Sequence, residues 1–66
     1  MTQYKDYQLR VIDEKDVLEY KINKLRLFID SEMYKNLENY DRILLNEQLF
    51  FMTRYCDVLK ERIDRF

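Results

Sequence analysis

The chain has 66 residues, 12 of them basic and 13 acidic, with no His, Gly, Pro or Trp and a single Cys. That length holds one small domain, and a body of this size buries only ~60% of the surface its unfolded chain exposes. Without glycine there is no Gly-rich phosphate loop; without histidine and with one cysteine there is neither a zinc-finger ligand set nor imidazole acid–base catalysis.

The pattern predicts an all-α fold: an antiparallel helical hairpin with a short connector helix, one domain over residues 1–66, assembling into an oligomeric helical bundle. The first helix spans about residues 4–29. Its seam reads Tyr4, Gln8, Val11, Lys15, Leu18, Ile22, Leu25 and Ile29, the alternating three- and four-residue spacing that keeps side chains on one helix face. The seam is purely apolar from Leu18 onward and admits Gln8 and Lys15 before it. Either these polar residues fix register, or the seam opens to solvent there and Lys15 snorkels.

The connector covers about residues 30–39, with Ser31 as the expected N-cap of a short turn through Met33, Tyr34 and Leu37. The second helix covers about residues 40–66. Asn39 is its expected N-cap, and Asp41 in the first turn favours the helix dipole. Its seam is cleaner: Leu45, Leu49, Met52, Cys56, Leu59, Ile63 and Phe66. Asp6–Arg10, Glu38–Arg42 and Glu61–Arg65 are acid-first pairs at helical spacing, each worth ~0.3–0.5 kcal/mol if formed.

Charge is evenly mixed. Residues 1–30 carry six basic and six acidic side chains, and residues 31–66 carry six and seven. No basic tail or stripe stands out, which argues against duplex nucleic acid as a partner; a small anion needs only a few converging cations. One cysteine gives no intrachain disulfide and fits a reducing cytoplasm. No apolar run follows Met1 and Thr2, so no secretory leader is expected, and no apolar stretch is long enough to span a membrane.

The apolar surface exceeds what a two-helix hairpin can bury. Leu44, Phe51 and Val58 recur every seven residues beside the second seam, with Phe50 and Tyr55 close by. One helix packed on one neighbour covers only the seam. Large aromatics left uncovered on so small a body point to self-association, so Leu44, Phe50, Phe51, Tyr55 and Val58 are the expected oligomer interface. The alternative is that Met33, Tyr34 and Leu37 of the connector fold over part of the patch.

Little in the chain points to catalysis. Asp13 and Glu14 are adjacent on a helix and diverge, so they do not face a common point. Cys56 lies at a seam position without a histidine partner and reads as a small buried hydrophobe. No spacing indicates a metal site, and no cofactor is expected. The six tyrosines carry more information. Tyr7 lies near Arg10 and Lys15, and Tyr55 stands one heptad from Arg62. An aromatic plate beside a cation is what a nucleotide-sized anion needs, and the same residues also suit a packing interface with hydroxyls at the rim. Tyr7, Arg10, Lys15, Tyr55 and Arg62 are therefore the candidate ligand-binding set.

The segment Gln8, Arg10, Val11, Ile12, Asp13, Glu14 and Lys15, followed by Leu18, Lys21, Ile22, Lys24, Leu25, Phe28 and Ile29, resembles a family of small phage and prophage helical proteins first catalogued from crAss-like phages. In the second half the resemblance runs through Leu44, Leu45, Gln48, Met52, Tyr55, Leu59, Arg62 and Ile63. The family pattern often has a proline after the leucine that precedes the second helix. Here Leu37 is followed by Glu38, so connector geometry does not carry over. The resemblance implies a phage origin and no enzymatic activity, and it transfers no catalytic residue. In size and shape the chain is similar to phage proteins that sequester cyclic oligonucleotide immune signals, an analogy at the level of fold.

Three functions follow as expectations. The first is a non-enzymatic counter-defence protein, a homo-oligomer holding a cyclic nucleotide-type signal between subunits. The second is a module that docks a host protein through its exposed apolar faces. The third is a structural coiled coil without a ligand.

Overall fold

The structure, a computed structural model, describes residues 3–66. Met1 and Thr2, where the absence of a leader was expected, lie outside them. Three helices follow in order: α1 (Asp6–Ile29), α2 (Glu32–Lys35) and α3 (Asn39–Asp64). No strand occurs among the described residues. The long helices pack side by side in opposite directions, giving a rod of 50 × 15 × 14 Å.

The helices pack along the two expected seams. Val11, Leu18 and Ile22 of α1 and Cys56 and Leu59 of α3 form the buried core, and Leu49, Met52, Ile63 and Phe66 pack against it. Leu25, Ile29 and Leu45 are half-buried, as are Gln8 and Lys15. Tyr4 alone of the seam positions is exposed, and it reaches the end of α3 instead. Tyr4 and Tyr7 both meet the Phe66 ring edge-on, at 6.3 and 6.0 Å. These aromatic contacts close the open end of the hairpin.

The helix ends show how a chain without glycine stops a helix. Asp30 and Arg65, the C-caps of α1 and α3, stay right-handed, and no described residue has positive φ. The last turns tighten instead: the Ser31 N–H donates to the Phe28 carbonyl at 3.0 Å and the Phe66 N–H to the Ile63 carbonyl at 3.0 Å. Such three-residue closures satisfy orphan carbonyls without a left-handed residue. At the start of α1, the Lys5 backbone N–H donates to the Gln8 side-chain oxygen at 2.8 Å.

Ser31 caps α2 as expected, its Oγ accepting from the Tyr34 N–H at 3.4 Å. The cap of α3 is a correction. Glu38, not Asn39, is the N-cap, with φ −62° and ψ 151°, and it makes no side-chain capping bond. Asn39 is already helical, and its Oδ1 accepts from Arg42 Nη2 at 3.5 Å. The extended backbone of Glu38 supplies the break that a proline at this position would impose. The three acid-first pairs are a second correction: none of Asp6–Arg10, Glu38–Arg42 or Glu61–Arg65 forms an ion pair among the described residues. A gain of a few tenths of a kcal/mol does not hold two long, solvated side chains in one geometry.

The connector seals the closed end of the hairpin. Tyr34 stands edge-on to Phe28 at 6.5 Å, and its hydroxyl accepts from Asn46 Nδ2, which also donates to the Arg42 carbonyl. Met33 points outward and Leu37 is half-buried. The connector leaves the α3 patch bare: Phe50 is 61% and Phe51 65% exposed.

Candidate functional site: a tyrosine and cation face

An antiparallel hairpin has two flanks, and cross-helix contacts assign side chains to each. On one flank the Tyr55 hydroxyl donates to the Glu14 carboxylate. A shallow depression of about 140 Å³ lies there, lined by Glu14, Val17, Leu18, Lys21 and Tyr55. On the other flank Lys60 pairs with Glu19 at 3.3 Å, over a depression of about 170 Å³ lined in part by Asn23, Arg26, Thr53 and Asp57.

Helical register extends the first flank in both directions. Tyr7, Glu14 and Lys21 recur every seven residues on α1, with Arg10, Val17 and Lys24 beside them. Gln48, Tyr55 and Arg62 recur likewise on α3, with Phe51, Val58 and Arg65 beside them. In antiparallel packing these rows run together, so Arg62 comes level with the Tyr7 end of α1. The flank then carries Arg10, Lys21, Lys24, Arg62 and Arg65 against two carboxylates, Glu14, whose partner is Tyr55, and Asp41, one heptad before Gln48 at the far end of α3. The opposite flank mixes signs: Asp16, Glu19 and Asp57 stand with Arg26 and Lys60.

Four of the five candidate ligand residues, Tyr7, Arg10, Tyr55 and Arg62, thus share one flank, and all four are exposed. Arg10 and Arg62 have no ion-pair partner among the described residues. Tyr7 keeps about half its surface free while its edge meets Phe66.

Lys15 is placed elsewhere. It occupies the seam between Val11 and Leu18, and its ammonium turns to the mixed flank, 2.7 Å from Asp16 and 3.9 Å from Glu19. The hydrogen bond to Asp16 and the charges of Asp16 and Glu19 hold its pKa above the ordinary 10.5, against a smaller opposing effect of desolvation. Two residues absent from the candidate set, Lys21 and Lys24, stand on the tyrosine flank. The seven-residue recurrence of Lys21 with Tyr7 and Glu14 was visible in the sequence. Lys24 is engaged with its own helix, its Nζ 5.3 Å from the centre of the Tyr20 ring.

No group of three or more metal-ligating side chains converges among the described residues, and no helix among them is long and apolar enough to cross a membrane. The five expected interface residues, Leu44, Phe50, Phe51, Tyr55 and Val58, are all exposed in the single chain. Tyr55 lies on the tyrosine flank, Leu44, Phe51 and Val58 form one row bordering it, and Phe50 lies farther round on the outer side of α3.

Comparison with known proteins places the chain among small phage proteins. It is similar to an uncharacterized 7.5 kDa protein in the denB-rIIB intergenic region of Enterobacteria phage T4, with 37% identity over 60 residues, covering 91% of this chain and 94% of that protein. No solved structure matches the chain. The family model described as Sequestin matches residues 5–65, both long helices and the connector between them. The chain belongs to the Sequestin family.

Proposed function

We propose that the chain is a non-enzymatic phage counter-defence protein that self-associates in the host cytoplasm and sequesters a nucleotide-type immune signal. The observation that carries this reading is the one-sided gathering of Tyr7, Arg10, Tyr55 and Arg62 on a flank where cations outnumber carboxylates. Tyrosine rings stack on bases, and guanidinium groups pair with phosphate oxygens in a fork geometry that suits a small anion. The name of the family speaks of sequestration, and the phage T4 relative supports the phage setting; the grouping with crAss-like phages rests on the sequence resemblance alone. The signal binds where the flanks of two copies meet, since the depression on one chain is too shallow to enclose a nucleotide. Lys15 stays with its carboxylates and has no role in this site.

Isothermal calorimetry against a panel of cyclic di- and trinucleotides tests the reading. Binding that is lost in Arg62→Ala and weakened in Tyr55→Ala is the expected result. Absence of binding to every member at tens of micromolar overturns it.

A second reading rests on the exposed Phe50–Phe51 pair, whose rings meet edge-on at 5.4 Å. Aromatic side chains on an uncovered helix face also suit docking of a host protein. Recovery of one stoichiometric host protein by the wild-type chain and not by Phe51→Glu favours that reading.

A further inference from the structure

The outer side of α3 is self-complementary. Tyr40, Glu47, Arg54 and Glu61 recur every seven residues along its centre, directly away from α1. Ile43 and Phe50 flank this row on one side; Leu44, Phe51 and Val58 flank it on the other, and all five are exposed. A second α3 laid antiparallel on this face, with a two-fold axis between Phe50 and Phe51, sets each residue opposite one equally far beyond the axis. Each flank then meets its own counterpart: on one side Phe50 meets Phe50 of the partner subunit while Ile43 comes near Asp57 of the partner subunit, and on the other Phe51 meets Phe51 of the partner subunit and Leu44 meets Val58 of the partner subunit. In the central row, Glu47 falls opposite Arg54 of the partner subunit, and Tyr40 opposite Glu61 of the partner subunit. Each pairing of two different residues occurs twice, as an isologous interface requires. A shift by one heptad in one direction sets Glu47 opposite Glu47 of the partner subunit, and in the other sets Arg54 opposite Arg54 of the partner subunit.

We propose that α3 pairs with α3 of a second copy in this register, forming a four-helix dimer in which α1 of each copy lies on the outside. The proposal rests on the self-association part of the proposed function and specifies its geometry. Glu47 has no ion-pair partner among the described residues. Arg54 meets Asp57 only at 3.7 Å on its own exposed helix surface, a contact weak enough to yield to a facing carboxylate. Glu47 and Arg54 are about 10.5 Å apart along one helix, so within a chain they do not pair. The arrangement covers the aromatic patch that the connector leaves bare. It also brings the tyrosine flank of each copy alongside the other copy, where a shared cleft can form.

Charge-swap variants of the full chain test the register by sedimentation equilibrium at low salt. Glu47→Arg places two cations opposite one another at two points of the dimer, and Arg54→Glu does the same with carboxylates. Each single variant is expected to weaken self-association by about tenfold or more. The double variant E47R/R54E restores the opposite-charge pairing and returns to within about threefold of wild type. An equal mixture of the two single variants forms a heterodimer tighter than either variant alone, because both facing pairs are then complementary. Circular dichroism on each variant separates loss of pairing from loss of helix. Single variants that associate like wild type, or a mixture no tighter than its components, overturn the proposal. The mixture experiment contains no nucleotide, so its outcome reads the interface independently of whether a signal binds.

Discussion

Leu59 is the side chain on which the hairpin most depends. It has no exposed surface, lying among Val11, Leu18, Ile22 and Cys56. Truncation to alanine removes the transfer energy of the lost carbons and leaves a cavity, a change that costs ~2.7–5 kcal/mol in a close-packed core. A two-helix rod is open to solvent on both flanks and can close up partly over the gap, which favours the lower part of that range, about 3 kcal/mol. A domain of this length has only ~3–10 kcal/mol in total, so Leu59→Ala removes a third of it or more. The melting temperature should fall by roughly 12–24 °C. Urea unfolding followed by far-ultraviolet circular dichroism, run at a low and a high protein concentration, measures the change. Phe51→Ala is the control: on the single chain its exposed ring contributes within about 0.5 kcal/mol, and a larger loss should emerge only where copies associate. A cost for Leu59→Ala under ~1 kcal/mol would refute the reasoning, because a fully enclosed leucine in a packed core cannot be that cheap to remove.

Four further outcomes follow from the same structure. Lys15→Leu should raise the urea midpoint: an apolar side chain fits the seam better, and the partly exposed pairs with Asp16 and Glu19 return little. The pKa of Lys15 is raised, so its attraction to those carboxylates is present in full below 10.5 and is lost as pH climbs through the higher folded value. The stability difference between wild type and Lys15→Leu should therefore be flat near neutrality and shift further in favour of Lys15→Leu in strong alkali, as paired urea titrations would show. Ser31→Ala removes the cap of α2 at a cost of ~1 kcal/mol, and faster hydrogen exchange at the Tyr34 amide would report it. Tyr55→Phe loses only the exposed bond to Glu14, ~1 kcal/mol or less, and keeps its ring for stacking. Calorimetry should then find nucleotide binding retained in Tyr55→Phe and reduced about tenfold or more in Tyr55→Ala, given a stacking contribution of ~1–3 kcal/mol per base.

The helices and their buried faces were legible in the sequence because helical geometry converts spacing into direction. Val11, Leu18 and Ile22, or Cys56 and Leu59, can lie on one line only if the chain coils at 3.6 residues per turn. Helix stops were less legible without glycine or proline. Asn39 has a good capping side chain, yet the chain turns at Glu38, where backbone entry rather than side-chain chemistry set the boundary. The exposed pairs such as Glu61–Arg65 failed for a related reason: spacing permits a contact, and solvent decides whether it is kept.

Periodicity belongs to each helix alone, so the sequence determined which faces of α1 and α3 are apolar, but not how the two sets of flanks meet. That was decided by the antiparallel packing, which set Tyr55 against Glu14 and Lys60 against Glu19 and so distinguished a cationic flank from a mixed one. Lys15 shows the difference most plainly. By spacing it stood near Tyr7 and Arg10; in the folded hairpin its seam position turns the ammonium across to Asp16 and Glu19, because a cation at a closing helix interface swings to the side where carboxylates are within reach.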